Sequence, residues 1–297
     1  MKIGRLIVNF LRFKSQKDQN KRRKTFPAHG IYKERLNVPY IDDGNTHHQF
    51  DVIYAKENRK NCCIIDIHGG SYIFGDHQDN YHFGLKFVEK GFDFISIDYI
   101  PNDGKHSVKD ILDDCTSCLN YIFSHQKELE IEGESFAITG DSAGGHLAFI
   151  CAQAILSREV AQKLGYEFPE VKLVATLLNC PVYDFVHLGD GMLTNGGKKR
   201  ILGPSYNDIE ALKLISPDQY LDKFDGPLFL SSCKQDFLLG EAIKIKKDME
   251  KKNNIFKYVY IDSDEKHVAH VHNVLWPEHH CSIDVNDQMA DFITSVL

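Results

Sequence analysis

The 297-residue sequence predicts an α/β protein built on a mostly parallel, doubly wound sheet, and three observations carry that expectation. From residue 61 onward, short and almost wholly apolar β-type runs alternate with amphipathic helical segments, as a parallel sheet covered on both faces requires. A hydrophobic fraction of 42% beside a charged fraction of 26% is that of a soluble globular chain, which argues against collagen-like, disordered and membrane-spanning classes. The length suits one continuous sheet with local additions.

In chain order, residues 1–30 read as a basic arm and residues 31–297 as one catalytic-size domain. Ile3, Leu6, Ile7, Phe10 and Leu11 share one helical face, with basic residues elsewhere. Asn9 and Arg12 interrupt the apolar run and no small-residue cleavage site follows, so we do not expect a signal peptide. A helix packed over the protein's own cleft is the expected use of this arm, and peripheral contact with an anionic membrane is the alternative. Residues 14–30 end in Phe26-Pro27-Ala28-His29-Gly30 and form a connector.

Extended stretches near 31–41 and 49–55 flank Asp42-Asp43-Gly44-Asn45, residue types that favour a tight antiparallel connection and hence an edge hairpin. The core strands are expected at Cys62 to Ile67, Phe92 to Ile97, Phe136 to Thr139, Leu173 to Leu178, Leu228 to Ser232 and Phe256 to Ile261. Helices fit at about 81–90, 107–126, 143–157, 239–253 and 284–296. The stretch 183–214, rich in Gly, Asn, Lys and Asp, breaks the alternation and reads as a cap insertion at the ligand-binding end of the sheet.

Residues 1–24 hold nine Lys or Arg against Asp18 alone, which leaves about −15 on the rest of a chain whose net charge is −7. An acidic body lacks the basic face that nucleic acid requires, so no nucleic-acid partner is expected. Most of the eight cysteines sit in apolar stretches, where a reduced thiol acts as a small hydrophobe, and a cytoplasmic location is expected. Cys115-Thr116-Ser117-Cys118 has redox-motif spacing but falls inside a helix, so two core thiols are expected there.

The strongest chemical signal is Phe136-Ala137-Ile138-Thr139-Gly140-Asp141-Ser142-Ala143-Gly144-Gly145-His146, an apolar strand that meets G-x-S-x-G and continues as a helix. Strand, sharp turn and helix would lift Ser142 Oγ above a helix N-terminus, where developing negative charge is favoured. Upstream, Ile64-Ile65-Asp66-Ile67 runs into His68-Gly69-Gly70-Ser71-Tyr72, a loop exposing backbone N–H groups. Those of Gly69 and Gly70, with that of Ala143, are expected to hold the oxyanion of an acyl transfer. His68 precedes these donors directly and is read as orienting the loop.

Through His68-Gly69-Gly70-Ser71 and Gly140-Asp141-Ser142-Ala143-Gly144-Gly145 the chain resembles the α/β-hydrolase family, and within it the hormone-sensitive-lipase-like esterase branch, over roughly residues 45–297. The resemblance implies the α/β-hydrolase fold with an antiparallel N-terminal edge hairpin, capped by the N-terminal helix and the 183–214 insertion. Ser71 departs from the branch, which commonly has a third glycine there. The family order of nucleophile, acid and histidine points to Asp236, in the turn after the strand ending at Ser232, and then to His270. In Lys266-His267-Val268-Ala269-His270-Val271-His272 the main competitor is His272, which stands where the family has an aromatic residue.

The resemblance implies hydrolysis of a small-molecule carboxylic ester, with short acyl chains preferred, through a Ser142-His270-Asp236 triad and an acyl-enzyme. Peptidase or amidase action, and ligand binding without turnover, are the alternatives on the same fold. No dinucleotide fingerprint or phosphate loop is present, so no cofactor is expected. His267, His270, His272, His279 and His280 lack a matched carboxylate set, so no metal is expected either.

Overall fold

Among the described residues, 17–188, 199 and 201–297 of the computed structural model, eight strands join in one sheet. They are β1 (Lys33–Pro39), β2 (Gln49–Tyr54), β3 (Cys62–Ile67), β4 (Asp93–Ile97), β5 (Ser135–Asp141), β6 (Lys172–Asn179), β7 (Leu228–Cys233) and β8 (Phe256–Ile261). Their order across the sheet is β1-β2-β4-β3-β5-β6-β7-β8. β2 runs antiparallel to both β1 and β4, and every pairing from β4 to β8 is parallel.

The edge hairpin forms as expected, but its connection is wider than the tight turn that Asp42-Asp43-Gly44-Asn45 suggests. Tyr40 N–H bonds the His48 carbonyl at 3.0 Å, and the loop between is built on side chains. Asp43 accepts from Asn45 N–H at 2.9 Å and Asn45 from His47 N–H at 3.0 Å, two local turns where one was expected.

Alternation along the strands sends side chains to two separate cores. Cys63, Ile65 and Ile67 of β3 join one, with α2 (Val108–Ser124) and α3 (Ala143–Leu156), whereas Cys62 and Ile64 join the other. That second core holds α1 (Tyr81–Val88) and the C-terminal helix α8 (His280–Val296). Apolar burial on both faces is the main stabilising term of such a sheet, at roughly 25 cal/mol per Å² removed from water. Cys115 and Cys118 lie buried on α2, and none of the eight cysteines forms a disulfide.

Strand β3 has β4 on one side and β5 on the other, so the chain changes direction across the sheet there. The carboxyl ends of β3 and β5 form the crevice in which ligands of such sheets bind. Segments before β1 and after β6 approach it. Residues 17–23 are helical, and Arg23 ties them to the body through Asp76 and Asp79, each at 2.6 Å. The apolar face expected over residues 3–11 and the centre of the 183–214 insertion lie outside the described residues. The rest of the insertion packs locally, with Leu202 buried and the Ile201 carbonyl accepting from Asn102 Nδ2 at 3.0 Å. Its helix α5 (Ile209–Leu214) starts at Asp208, which caps two N–H groups. No described helix is long and apolar enough to cross a membrane.

Candidate active site

Ser142 stands between β5 and α3 with φ 52° and ψ −116°, a conformation that costs a non-glycine residue about 1–3 kcal/mol. The surrounding glycines permit it. A Cβ at Gly140 would run into the Gly144 carbonyl, and one at Gly144 into the carbonyls of Ile67 and His68. The turn is therefore closed by packing of α3 on β3, and it is anchored by Ser142 N–H on the Asn179 carbonyl at 2.9 Å.

The structure brings Ser142, His270 and Asp236 into one hydrogen-bonded line. His270 Nε2 lies 2.9 Å from Ser142 Oγ and His270 Nδ1 lies 2.6 Å from Asp236 Oδ1. Asp236 also accepts from the Leu238 N–H at 2.9 Å and the Ser232 hydroxyl at 2.8 Å. Burial pushes the Asp236 carboxyl up, but the hydrogen bond and charge of His270, with these two donors, outweigh it and hold the group below the usual carboxylate range. Asp236 is thus a carboxylate at neutral pH.

The loop carrying His270 is fixed from several sides. Gln235 forms a backbone bridge with Ala269, and its amide donates to the carbonyls of Ser263 and Glu265 at 3.2 Å each. Val271, at φ 52°, donates its N–H to Cys180 Sγ at 3.3 Å, and Phe237 lies 4.1 Å from the His270 ring. His272, the competitor, points elsewhere. It is buried on Ser282 Oγ at 3.0 Å, and desolvation, aided by the His279 charge, drives its pKa down to about 4. His279 and His280 lean on Glu265, His267 lies tilted against Trp276 with ring centres 4.1 Å apart, and His279, His280 and Cys281 converge within 4.8 Å.

The glycine loop departs from expectation at one position. Gly69, expected to offer its N–H to the oxyanion, donates it to Asp141 Oδ1 at 2.9 Å. Asp141 is fixed there by Asn80, whose Nδ2 also bonds Asp66 at 2.9 Å, while burial and the Asp141 charge push the Asp66 carboxyl up to about 8. The N–H groups of Gly70, Ser71 and Ala143 have no partner among the described residues. Gly70 and Ser71 take positive φ values of 126° and 51°, and Ala143 opens α3, where the N–H has no intrahelical acceptor. The sequence reading placed the free N–H groups of this loop on Gly69 and Gly70, and the structure leaves those of Gly70 and Ser71 free because Asp141 takes the Gly69 N–H.

His68 orients this loop as expected. Its Nδ1 bonds the Gly69 carbonyl at 2.6 Å, its ring stacks on Tyr99 at 4.3 Å, and Tyr99 Oη donates to the His68 carbonyl at 3.0 Å. Burial lowers the His68 pKa, but bonding to Asp98 and the Gly69 carbonyl raises it further, to about 9. Asp98 meets His47, His68 and His77 at once, and although burial opposes it, these partners hold its carboxyl far below the usual range.

Ser142 and His270 of the line and Gly70 and Ser71 of the loop border one cavity of about 240 Å³. Its wall includes Ser71, Phe74, Ser142, Phe237 and His270, with Gln19 and Arg22 from the N-terminal segment. The arrangement can activate a hydroxyl, orient the imidazole that accepts its proton, and bind an oxyanion.

Comparison with known proteins bears on the family and the fold. The BD-FAE family model matches residues 50–269. A probable carboxylic ester hydrolase, LipM of Mycobacterium tuberculosis (strain ATCC 25618 / H37Rv), is 27% identical over 181 residues, which are 59% of this chain and 41% of that protein. The chain thus spans less than half the length of this curated relative. Esterase B of Lactobacillus rhamnosis superposes with a TM-score of 0.88 at 19% identity, covering 99% of this chain and 96% of that one. A hyperthermophilic esterase of Pyrobaculum calidifontis gives 0.72 at 17%, covering 98% and 94%. The fold is that of the α/β-hydrolases.

Proposed function

The chain belongs to the BD-FAE family, and from that membership we propose that it is a serine hydrolase of carboxylic esters, with Ser142 as nucleophile, His270 as base and Asp236 as the acid that orients it. The observation that carries this reading is the hydrogen-bonded line from Asp236 through His270 to Ser142 Oγ.

Ser142 Oγ attacks the ester carbonyl carbon while His270 Nε2 takes the hydroxyl proton, and Asp236 balances the imidazolium through Nδ1–H. Gly70, Ser71 and Ala143 N–H groups receive the oxyanion, each such donor being worth about 3–4 kcal/mol to the transition state. Collapse breaks the ester C–O bond, and His270 returns the proton to the departing alkoxide. Water then attacks the acyl-enzyme by the same relay, releasing the acid and restoring Ser142.

A cavity of about 240 Å³ supports short acyl groups, being smaller than drug-sized pockets of roughly 300–1,000 Å³. Esterase B of Lactobacillus rhamnosis, of the same fold, is known inhibited by a C4-C4 SN3 tributyrin phosphonate, which supports a similar substrate class here. Gln19 and Arg22 in the cavity wall support the N-terminal segment as a cover of the cleft.

A short-chain alkyl phosphonate should label Ser142, mapped by peptide mass. Ser142→Ala should lose the label and at least about ten-thousand-fold in kcat on short-chain esters, with an unchanged thermal midpoint. Labelling at another serine, or undiminished turnover in the variant, removes the reading.

A further inference from the structure

We propose that the substrate carries a carboxylate apart from the scissile ester and that Arg22 of the N-terminal segment binds it; this rests on the ester-hydrolase reading above. Gln19 and Arg22 stand three residues apart on one helical stretch and line the cavity that holds Ser142 and His270. Arg22 Nη2 donates to the Asp79 carbonyl at 3.0 Å, but its Nη1 is buried with no partner among the described residues, and Gln19 Oε1 is equally unpartnered. A buried donor without an acceptor is destabilising, more so when it is charged, so the free cavity loses what a suitable ligand would restore.

The neighbouring carboxylates are already engaged. Arg23 takes Asp79 Oδ1 through two nitrogens, at 2.9 and 2.6 Å, and also Asp76. Asp141 Oδ1 accepts from Gly69 and Asn80. The Arg22 guanidinium makes its one hydrogen bond among the described residues to a carbonyl, that of Asp79, and lies over the Phe26 ring at 5.3 Å. Phe74, Phe237, Val271 and Leu275 make the apolar part of the wall, and Arg22 stands in its polar part beside Asp79, which is paired with Arg23, and Asp141, which is bonded by Gly69 and Asn80. Planar guanidinium matches planar carboxylate, and the charge-assisted bond is strongest out of water.

Two ester pairs test this, each differing only in carboxylate against carboxamide: the nitrophenyl monoester of adipic acid against its monoamide counterpart, and the acetyl esters of para-hydroxybenzoate and para-hydroxybenzamide. The first places the charge on the acyl side and the second on the alcohol side. Wild type should favour the carboxylate member of one pair by about tenfold or more in kcat/KM. Within Arg22→Gln that ratio should fall toward one, and Arg22→Lys should keep part of it. Because the ratio is taken within one variant, it does not depend on the folded fraction. A wild-type ratio near one in both pairs, or an unchanged ratio in Arg22→Gln, overturns the proposal. Calorimetric titration of adipic monoamide and para-hydroxybenzoate into Ser142→Ala, with and without Arg22→Gln, separates the two readings. If no ester is hydrolysed the esterase reading falls, whereas Arg22-dependent binding still upholds the carboxylate site and Arg22-independent binding, or none, overturns it.

Discussion

His270 and His272 stand two residues apart in one loop, yet one meets Ser142 and Asp236 and the other is buried against Ser282. Their substitutions should therefore separate chemistry from stability. His270→Ala is expected to lower kcat by about ten-thousand-fold or more with little change in thermal midpoint, because it removes the proton acceptor. His272→Ala should keep most activity and lose about 1–3 kcal/mol of stability, because it leaves the buried Ser282 hydroxyl short of a partner. Ester hydrolysis and thermal denaturation read the two effects, and the reverse pattern would move the base to His272. At this scale the sequence is legible where a residue's chemistry is local. Ser142 announces itself because strand, glycine turn and helix are contiguous. Gly69 does not, since its N–H is taken by Asp141, 72 positions later, through a contact that no spacing reveals. Arg22 reads in the sequence only as part of a basic run.

At the scale of elements, the Ser142 turn depends on how closely α3 sits on β3. Gly144 is the contact point, where any Cβ meets the carbonyls of Ile67 and His68 immediately before the glycine loop. Gly144→Ala should force these segments apart. We expect a loss of about 1–3 kcal/mol in stability by denaturant titration, typical of overpacking, together with a fall in kcat that exceeds any rise in KM as Gly70 and Ser71 shift from Ala143. Unchanged kcat would show that the oxyanion donors do not depend on this contact. Strands were legible by two signals: β3 matches its expected bounds as a strand buried on both faces and apolar but for Asp66, and β8, an edge strand with Tyr260 exposed, matches through its aromatic and β-branched residues. Helix starts were legible too, within one residue for four of the five, and the last is the exception. α8 begins at His280, four residues before the expected position, because the His279 ring accepts the Cys281 N–H as a cap. Histidine is a poor signal for that role beside Ser, Thr, Asp or Asn.

For the whole molecule, the buried titratable groups set a pH window for stability, and its sign follows from their directions. Desolvation lowers His146 and His272 to about 4, so between that value and about 6.5 the unfolded chain binds more protons and stability rises with pH. His68 and His77 behave oppositely. Although burial lowers both, their carboxylate partners raise them to about 9 and about 10. Their contribution is complete below about 6.5 and is lost as pH climbs through the raised values. Asp66, raised to about 8 by burial and the Asp141 charge, binds a proton that the unfolded chain has released above about 4, so its contribution also declines up to pH 8. Below about 6.5 the two large rising terms outweigh the large falling term of Asp66, with smaller falling contributions from Asp79 and Asp114 and a smaller rising one from His82, and above it only falling terms remain. The thermal midpoint should therefore peak at about pH 6–7, fall gently toward pH 4 and fall more steeply between pH 7 and 10. The acid limb steepens again below about pH 4, where Asp98 and Asp236 take up protons in the unfolded chain but, held below the usual carboxylate range, stay ionised in the fold. His77→Gln removes one alkaline term and should flatten the decline between pH 7 and 10 while lowering stability at pH 6. A decline of unchanged steepness in that variant would mean that the His77 proton is not tied to folding.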